Sequence, residues 1–166
     1  MKINLANIKK AKKLLNKREC VAIPTETVYG LAGNAYSNKA CEKIFKLKTV
    51  AVVGMSPKPE RPSHYVALYL QENGYRIIPV NPGHDEIAGL KSYPSLVDIP
   101  DKVDVIDVFR RSEFVEPIAK DAIRIGAKAL WLQDNVVNVD AAKLAEDAGL
   151  MVVMNDCMLR QHRQLH

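Results

Sequence analysis

From Thr49 onward the chain repeats one pattern: a short apolar run, then an amphipathic stretch closed by glycine. The runs are TVAVVG (49–54), YRIIPV (75–80), VDVIDVF (103–109), AKALWL (127–132) and LMVVM (150–154). Each is rich in Val and Ile, as parallel strands buried on both faces require. The stretches between them predict helices over 62–73, 112–125 and 140–148, ended by Gly74, Gly126 and Gly149, since glycine takes the left-handed conformation after a helix without steric cost. Residues 81–102 contain Pro82, Pro94 and Pro100 and read as a loop with one short helical turn around Ser95 to Asp98. The pattern predicts an α/β fold, a Rossmann-like doubly wound parallel five-stranded sheet, with the five runs in the order 3-2-1-4-5.

The residues ahead of Thr49 have a different character. Residues 1–48 carry eleven Lys/Arg and three Glu, a net +8, whereas 49–166 carry thirteen Lys/Arg and sixteen Asp/Glu, a net −3. This divides the chain into a short amino-terminal appended segment, 1–48, which is not an independent domain, and a main domain, 49–166. Within the segment a helix is expected over 4–17, a strand over 20–23, a loop, and a helix over 38–48 with Ser37 as its N-cap. Lys9, Lys10, Lys12 and Lys13 surround Ile8, Ala11, Leu14 and Leu15 at helical spacing, which argues for a solvated helix face rather than a nucleic-acid surface. An unpaired edge strand at Cys20–Ile23 would offer a route to a homodimer.

Composition agrees with a globular protein, at 48% apolar and 26% charged residues over 166 positions. No apolar run approaches the roughly 18 residues of a membrane span, and the first segment lacks the apolar stretch of a secretion signal, so a cytoplasmic location is expected. Cys20, Cys41 and Cys157 form no CxxC pair, which leaves reduced thiols as the expectation.

In a doubly wound sheet, ligands lie at the carboxyl ends of the strands where the strand order reverses, here expected between the first and fourth runs. After the first run comes GMSPKPERPSH: Gly54 and Ser56 allow close backbone approach, Lys58 and Arg61 bring charge, and Pro62, Ser63 and His64 open a helix whose N-terminal amides suit a phosphate. This is not the three-glycine dinucleotide fingerprint. The second run ends Val80-Asn81-Pro82-Gly83, without the carboxylate that accepts a ribose hydroxyl, and Lys58, Arg61 and Arg76 would favour a phosphorylated ribose. Coenzyme A, with its 3′-phosphate and pyrophosphate, matches this pattern better than NAD. The third run ends Phe109-Arg110-Arg111-Ser112, with Ser112 a potential N-cap, and the fourth ends Trp131-Leu132-Gln133, placing an aromatic and an amide near the same edge.

Other candidate chemistry is sparse. His64 is read as a cap or ligand contact rather than a proton-transfer group, and His84-Asp85-Glu86 as solvent-facing. Cys157 is read as structural rather than as half of a thiol–imidazole pair with His162. His162 and His166 share metal-pair spacing without a third ligand. No catalytic set and no metal are expected.

Over residues 49–166, the stretches VAVVGMSPKPERPSHYVALYLQENGYRIIPVNPG, YPSLVDIP, VDVIDVFRRSEFV, AKALWLQ and NDCMLRQHRQL resemble the small bacterial CoA-binding proteins related to the CoA-binding domain of succinyl-CoA synthetase. The resemblance implies a stand-alone, non-catalytic module for CoA or an acyl-CoA. Carried over by position, it implies ligand contacts at Gly54, Ser56, Lys58, Arg61, Ser63, Asn81, Pro82, Phe109 and Arg110. NAD or another nucleotide is the alternative ligand.

The segment CVAIPTETVYGLAGNAYSNKACEKIFKLK is similar to the opening of YrdC-type threonylcarbamoyl-AMP synthases, which serve a tRNA modification. That similarity implies the alternative activity. Lys48 stands where the family has the first residue of a Lys-x-Arg-Pro element, but the Arg-Pro does not follow. A piece of 48 residues is also too small to enclose ATP, bicarbonate and threonine by itself. The structural expectation is that residues 39–48 form the helix preceding the first strand, with Ala40, Ile44 and Leu47 on one face.

Overall fold

The computed structural model describes the backbone of residues 21–24, 29–32 and 38–165, and side chains from 40 to 165. The chain forms two compact units, Met1–Asn38 and Lys39–His166. In the first, β1 (Val21–Pro24) pairs antiparallel with β2 (Tyr29–Ala32). The strand expected to be unpaired therefore has a partner, and it lies in residues read as loop. The expected helix over 4–17 and its lysine face, and the Ser37 cap, fall outside the described residues.

In the second unit, which takes α1 (Asn38–Ile44) from its second residue on, that helix leads into β3 (Thr49–Val53). There follow α2 (Pro62–Glu72), β4 (Arg76–Val80), the two-residue strands β5 (Glu86–Ile87) and β6 (Leu90–Lys91), and a 3-10 turn at Leu96–Asp98. The chain continues through β7 (Val105–Val108), α3 (Val115–Arg124), β8 (Ala129–Leu132), α4 (Val139–Asp147), β9 (Met151–Met154) and α5 (Met158–Leu165). Gly74, Gly126 and Gly149 all have positive φ, at 83°, 73° and 93°, in their expected role after a helix.

The five long strands form one parallel sheet in the order β4-β3-β7-β8-β9. Counted along the chain this is 2-1-3-4-5, not the 3-2-1-4-5 expected. Pro79 gives the physical reason. Val80 carbonyl accepts from Gly54 N–H and Arg76 N–H donates to Lys48 carbonyl, so alternate residues of β4 face β3. Pro79 points the other way, where its carbonyl accepts from Tyr93 N–H at 3.0 Å. A proline lacks the N–H that an interior strand needs on both sides, so it belongs on an edge strand. Under the order 3-2-1-4-5 this strand would have been interior.

Strand residues alternate between two cores. Val50, Val52, Trp131 and Val153 pack with Ile44 and Phe45, Val66 and Leu70 of α2, and Met158 of α5. Ala51, Val53, Ile106 and Leu130 pack on the opposite face with Leu96, Val115 and Ala119 of α3, and Ala141 and Ala145 of α4. Cys41, Ile44 and Phe45 are almost fully buried, so the helix ahead of β3 is part of the sheet's core.

Two further features depart from the expectation. Ser112 caps no helix: its hydroxyl accepts from Val137 N–H at 2.9 Å, joining the turn before α3 to the one before α4. The connection 81–102 contains the β5–β6 hairpin besides its short turn.

Candidate functional site

The order 2-1-3-4-5 moves the topological switch to the gap between β3 and β7, since the chain leaves β3 for β4 on one side and returns to β7 on the other. Gly54 stands at that point with φ +85°, and a Cβ there would lie 2.9 Å from both the Phe109 carbonyl oxygen and Arg110 Cδ. No residue but glycine lets the loop after β3 approach the end of β7 this closely.

Beside this contact runs an open groove of about 230 Å³. Gly54, Pro82 and Arg110 line it, together with Val53, Val80, Leu96 and Phe114, and with Ser95 and Asp121 as further polar groups. The Arg110 guanidinium lies 5.1 Å from the centre of the Phe114 ring. Phe114 and Asp121 were not singled out from the sequence. Phe114 is 43% exposed, an apolar side chain in water just before α3, and that exposure is evident only once the helix is placed.

The loop between β3 and α2 is held by side chains. Ser63 Oγ accepts from Ser56 N–H at 3.0 Å, and His64 Nδ1 donates to Ser56 carbonyl at 2.8 Å. Ser56 Oγ accepts from Lys58 N–H at 3.2 Å. Asn81 Nδ2 donates to Met55 carbonyl at 2.8 Å while its Oδ1 accepts from Gly83 N–H at 2.9 Å, tying the loops after β3 and β4 together. Ser63 and His64 are buried and turned inward. Lys58 and Arg61 are exposed, and neither forms an ion pair among the described residues.

These bonds narrow the set of amides at the helix start to that of Ser63. Pro62 has no N–H, the N–H groups of His64 and Tyr65 both donate to Arg61 carbonyl, and those of Ser56 and Lys58 are already taken. An anion here would meet the side-chain cations together with the Ser63 N–H.

Other candidates lie elsewhere. Arg76 opens β4, at the opposite end of the parallel sheet from the ligand edge, and pairs with Asp101 at 2.6 Å. The pair lines a second groove of about 240 Å³ on the outer side of β4, so size does not distinguish the two cavities, whereas position at the strand ends does. Trp131 is fully buried, its indole N–H donating to Asp156 carbonyl at 2.7 Å. Gln133 is buried too and donates to Asp107 Oδ1 at 2.7 Å. Neither lines the groove, because their positions point to the face covered by α1, α2 and α5. Phe109 is half-buried and packs against that same core.

Asp107 sits on β7 two residues before Phe109, completely buried. Burial pushes its carboxyl up to about 7, with the Gln133 hydrogen bond opposing the shift in part. Its second oxygen has no hydrogen-bond partner among the described residues. His84, Asp85 and Glu86 are exposed, as expected. His162 is buried, with its Nδ1 3.0 Å from Tyr69 Oη, and Cys157 is half-buried. Among the described residues no group of three His, Cys, Asp or Glu is placed to hold a metal, and no helix is long and apolar enough to cross a membrane.

A family described as "CoA binding domain" matches residues 48–163. The chain belongs to this CoA-binding domain family. It is 39% identical to the uncharacterized protein YneT of Bacillus subtilis (strain 168), over 73% of this chain and 90% of that one. It is 33% identical to acetate–CoA ligase [ADP-forming] II of Archaeoglobus fulgidus over 62% of this chain, but spans only 16% of that enzyme. Among solved structures, a hypothetical protein from Pyrococcus horikoshii OT3 superimposes with a TM-score of 0.75 at 43% identity, covering 78% of this chain and 92% of that one. The family match begins at residue 48 and lends no support to the synthase resemblance of the segment before it.

Proposed function

We propose that this protein binds coenzyme A or an acyl-CoA across the carboxyl ends of β3, β4 and β7 and performs no chemistry on it. The observation that carries this reading is the groove at the β3–β7 switch point, largely apolar and lined by Gly54, Pro82 and the exposed cation Arg110, with Lys58 and Arg61 exposed on the loop that follows Gly54. CoA combines those chemistries, with apolar adenine and pantetheine parts and three phosphates. The groove is smaller than the roughly 300 Å³ at which small-molecule pockets begin, so it takes one portion of the ligand while the rest crosses the exposed loops. Gly54, Pro82 and Arg110 contact it directly. Lys58 and Arg61 meet phosphate, Ser56, Ser63 and Asn81 hold the loops that carry these groups, and Phe109, packed into the core, anchors Arg110 beside it.

NAD fits less well. A dinucleotide loop offers backbone amides to the pyrophosphate, and here the Ser56 and Lys58 amides are bonded to hydroxyl oxygens. Asn81 replaces a ribose-binding carboxylate, and its amide is engaged with Met55 and Gly83. A role without catalysis is supported by the relative YneT, of whose length this chain spans 90%. The His64 imidazole, at the helix end of the loop, is committed to the Ser56 carbonyl.

Thermal-shift measurements with CoA, acetyl-CoA, NAD, NADP, and ATP plus threonine test the reading. CoA at a hundred times its Kd adds about 2.7 kcal/mol of stability and should raise the melting temperature by several degrees. A shift with NAD and none with CoA would reject the proposal, and a shift requiring ATP and threonine would restore the synthase alternative.

A further inference from the structure

We propose that His64 is a positioning residue: its imidazole fixes the loop after β3 in the shape that presents Lys58 and Arg61 to a phosphorylated ligand. The ligand class rests on the coenzyme A reading above, whereas the loop geometry does not. The sequence of the loop shows why a side chain is needed. Pro57, Pro59 and Pro62 remove three N–H donors from the segment Gly54–Ser63, so few backbone donors remain to tie it down. Within it, Arg61 N–H donates to Lys58 carbonyl at 3.1 Å. Gly54 N–H and the Arg61 carbonyl anchor its two ends to Val80 and to the first turn of α2, and the ties between them, at Met55, Ser56 and Lys58, come from side chains.

Ser56 is gripped on both sides of its own backbone, its N–H by Ser63 Oγ at 3.0 Å and its carbonyl by His64 Nδ1 at 2.8 Å. Both gripping residues lie in the first turn of α2 and are at most 7% exposed. The helix packs through Val66, Ala67 and Leu70 into the sheet core, so the loop is referenced to the most rigid part of the molecule. A carbonyl only accepts, which requires the hydrogen to sit on Nδ1 of His64. Lys58 and Arg61 therefore extend from a backbone set before the ligand arrives, and the ordering cost of binding falls accordingly.

Amide hydrogen exchange and calorimetric titration with CoA test this on the full chain. In His64→Ala the Ser56 and Lys58 amides should exchange at least about tenfold faster, with those of β3 and β7 unchanged, and the Kd for CoA should rise about tenfold. His64→Asn, whose amide nitrogen stands near the Nδ1 position, should restore both, and His64→Gln, which reaches toward the Nε2 position, should not. Unchanged exchange at Ser56 and Lys58 in His64→Ala overturns the proposal whether or not CoA binds. A parent protein that fails to bind CoA rejects the coenzyme reading while the exchange data still decide the role of His64. If the alanine variant does not fold, nitrogen NMR of the unaltered chain decides: a hydrogen on Nδ1 is expected, and a hydrogen on Nε2 alone in the neutral ring overturns the assignment.

Discussion

Asp107 shows how one buried carboxyl can set the pH response of the molecule. It lies between Val52 of β3 and Trp131 of β8 in the sheet register, with one oxygen bonded to Gln133 and the other without a partner among the described residues. Burial raises its folded-state pKa from 3.8 to about 7. Between those values the folded protein keeps a proton that the unfolded chain has released, so Asp107's contribution to stability falls as pH rises through that window. The full difference is on the order of 4 kcal/mol. Asp107→Asn resembles the protonated acid in shape and cannot ionise. Denaturant unfolding of the two proteins should agree near pH 4 and diverge by pH 8, with the variant the more stable. Parallel curves would mean that the carboxyl is ionised in the fold throughout.

Among the elements, the β5–β6 hairpin carries a visible local cost. Its two-residue turn places Ala88 at φ 55° and Gly89 at φ 74°, both in the left-handed region. A two-residue turn of this hand suits the twist of the strands, but alanine there costs about 1 kcal/mol because its Cβ crowds the following carbonyl. Ala88→Asn would create the preferred Asn-Gly pair and should raise stability by about 0.5–1 kcal/mol, read as a higher urea midpoint at unchanged slope. Ala88→Val should lower it. The hairpin was not legible in the sequence because EIAGLK has only two residues per strand and lacks the Asn-Gly or Asp-Gly signal. The long elements were legible, since Val/Ile runs and closing glycines mark them without tertiary information. Strand order was legible only through Pro79, one residue whose missing N–H separates an edge strand from an interior one. In the site, Gly54 and the cations could be read from the strand-end rule, whereas the inward turn of Ser63 and His64 could not. A serine and a histidine at a helix start suit a ligand and a loop staple equally, and only the bonds to Ser56 distinguish them.

At the scale of the whole molecule, the charge break near residue 48 and the structural division do not coincide. The compact unit begins at Lys39, and Cys41, Ile44 and Phe45 are 2%, 0% and 3% exposed within its core. The Tyr75 hydroxyl donates to Phe45 carbonyl at 2.8 Å, and the Phe45 ring lies 5.6 Å from that of Trp131. A cut placed by sequence composition at residue 48 would remove these groups and open a cavity under the sheet. Loss of a buried Phe alone costs about 3–5 kcal/mol, a large part of the stability of a domain this size. A chain starting at Lys39 retains both cores and every residue assigned to the ligand groove. It should unfold cooperatively with a melting temperature within a few degrees of the parent and bind CoA with the same Kd. A chain starting at Thr49 should melt far lower or fail to fold. Calorimetry on the two truncations separates these outcomes, and equal stability would show that the helix at Asn38–Ile44 adds nothing to the domain it covers.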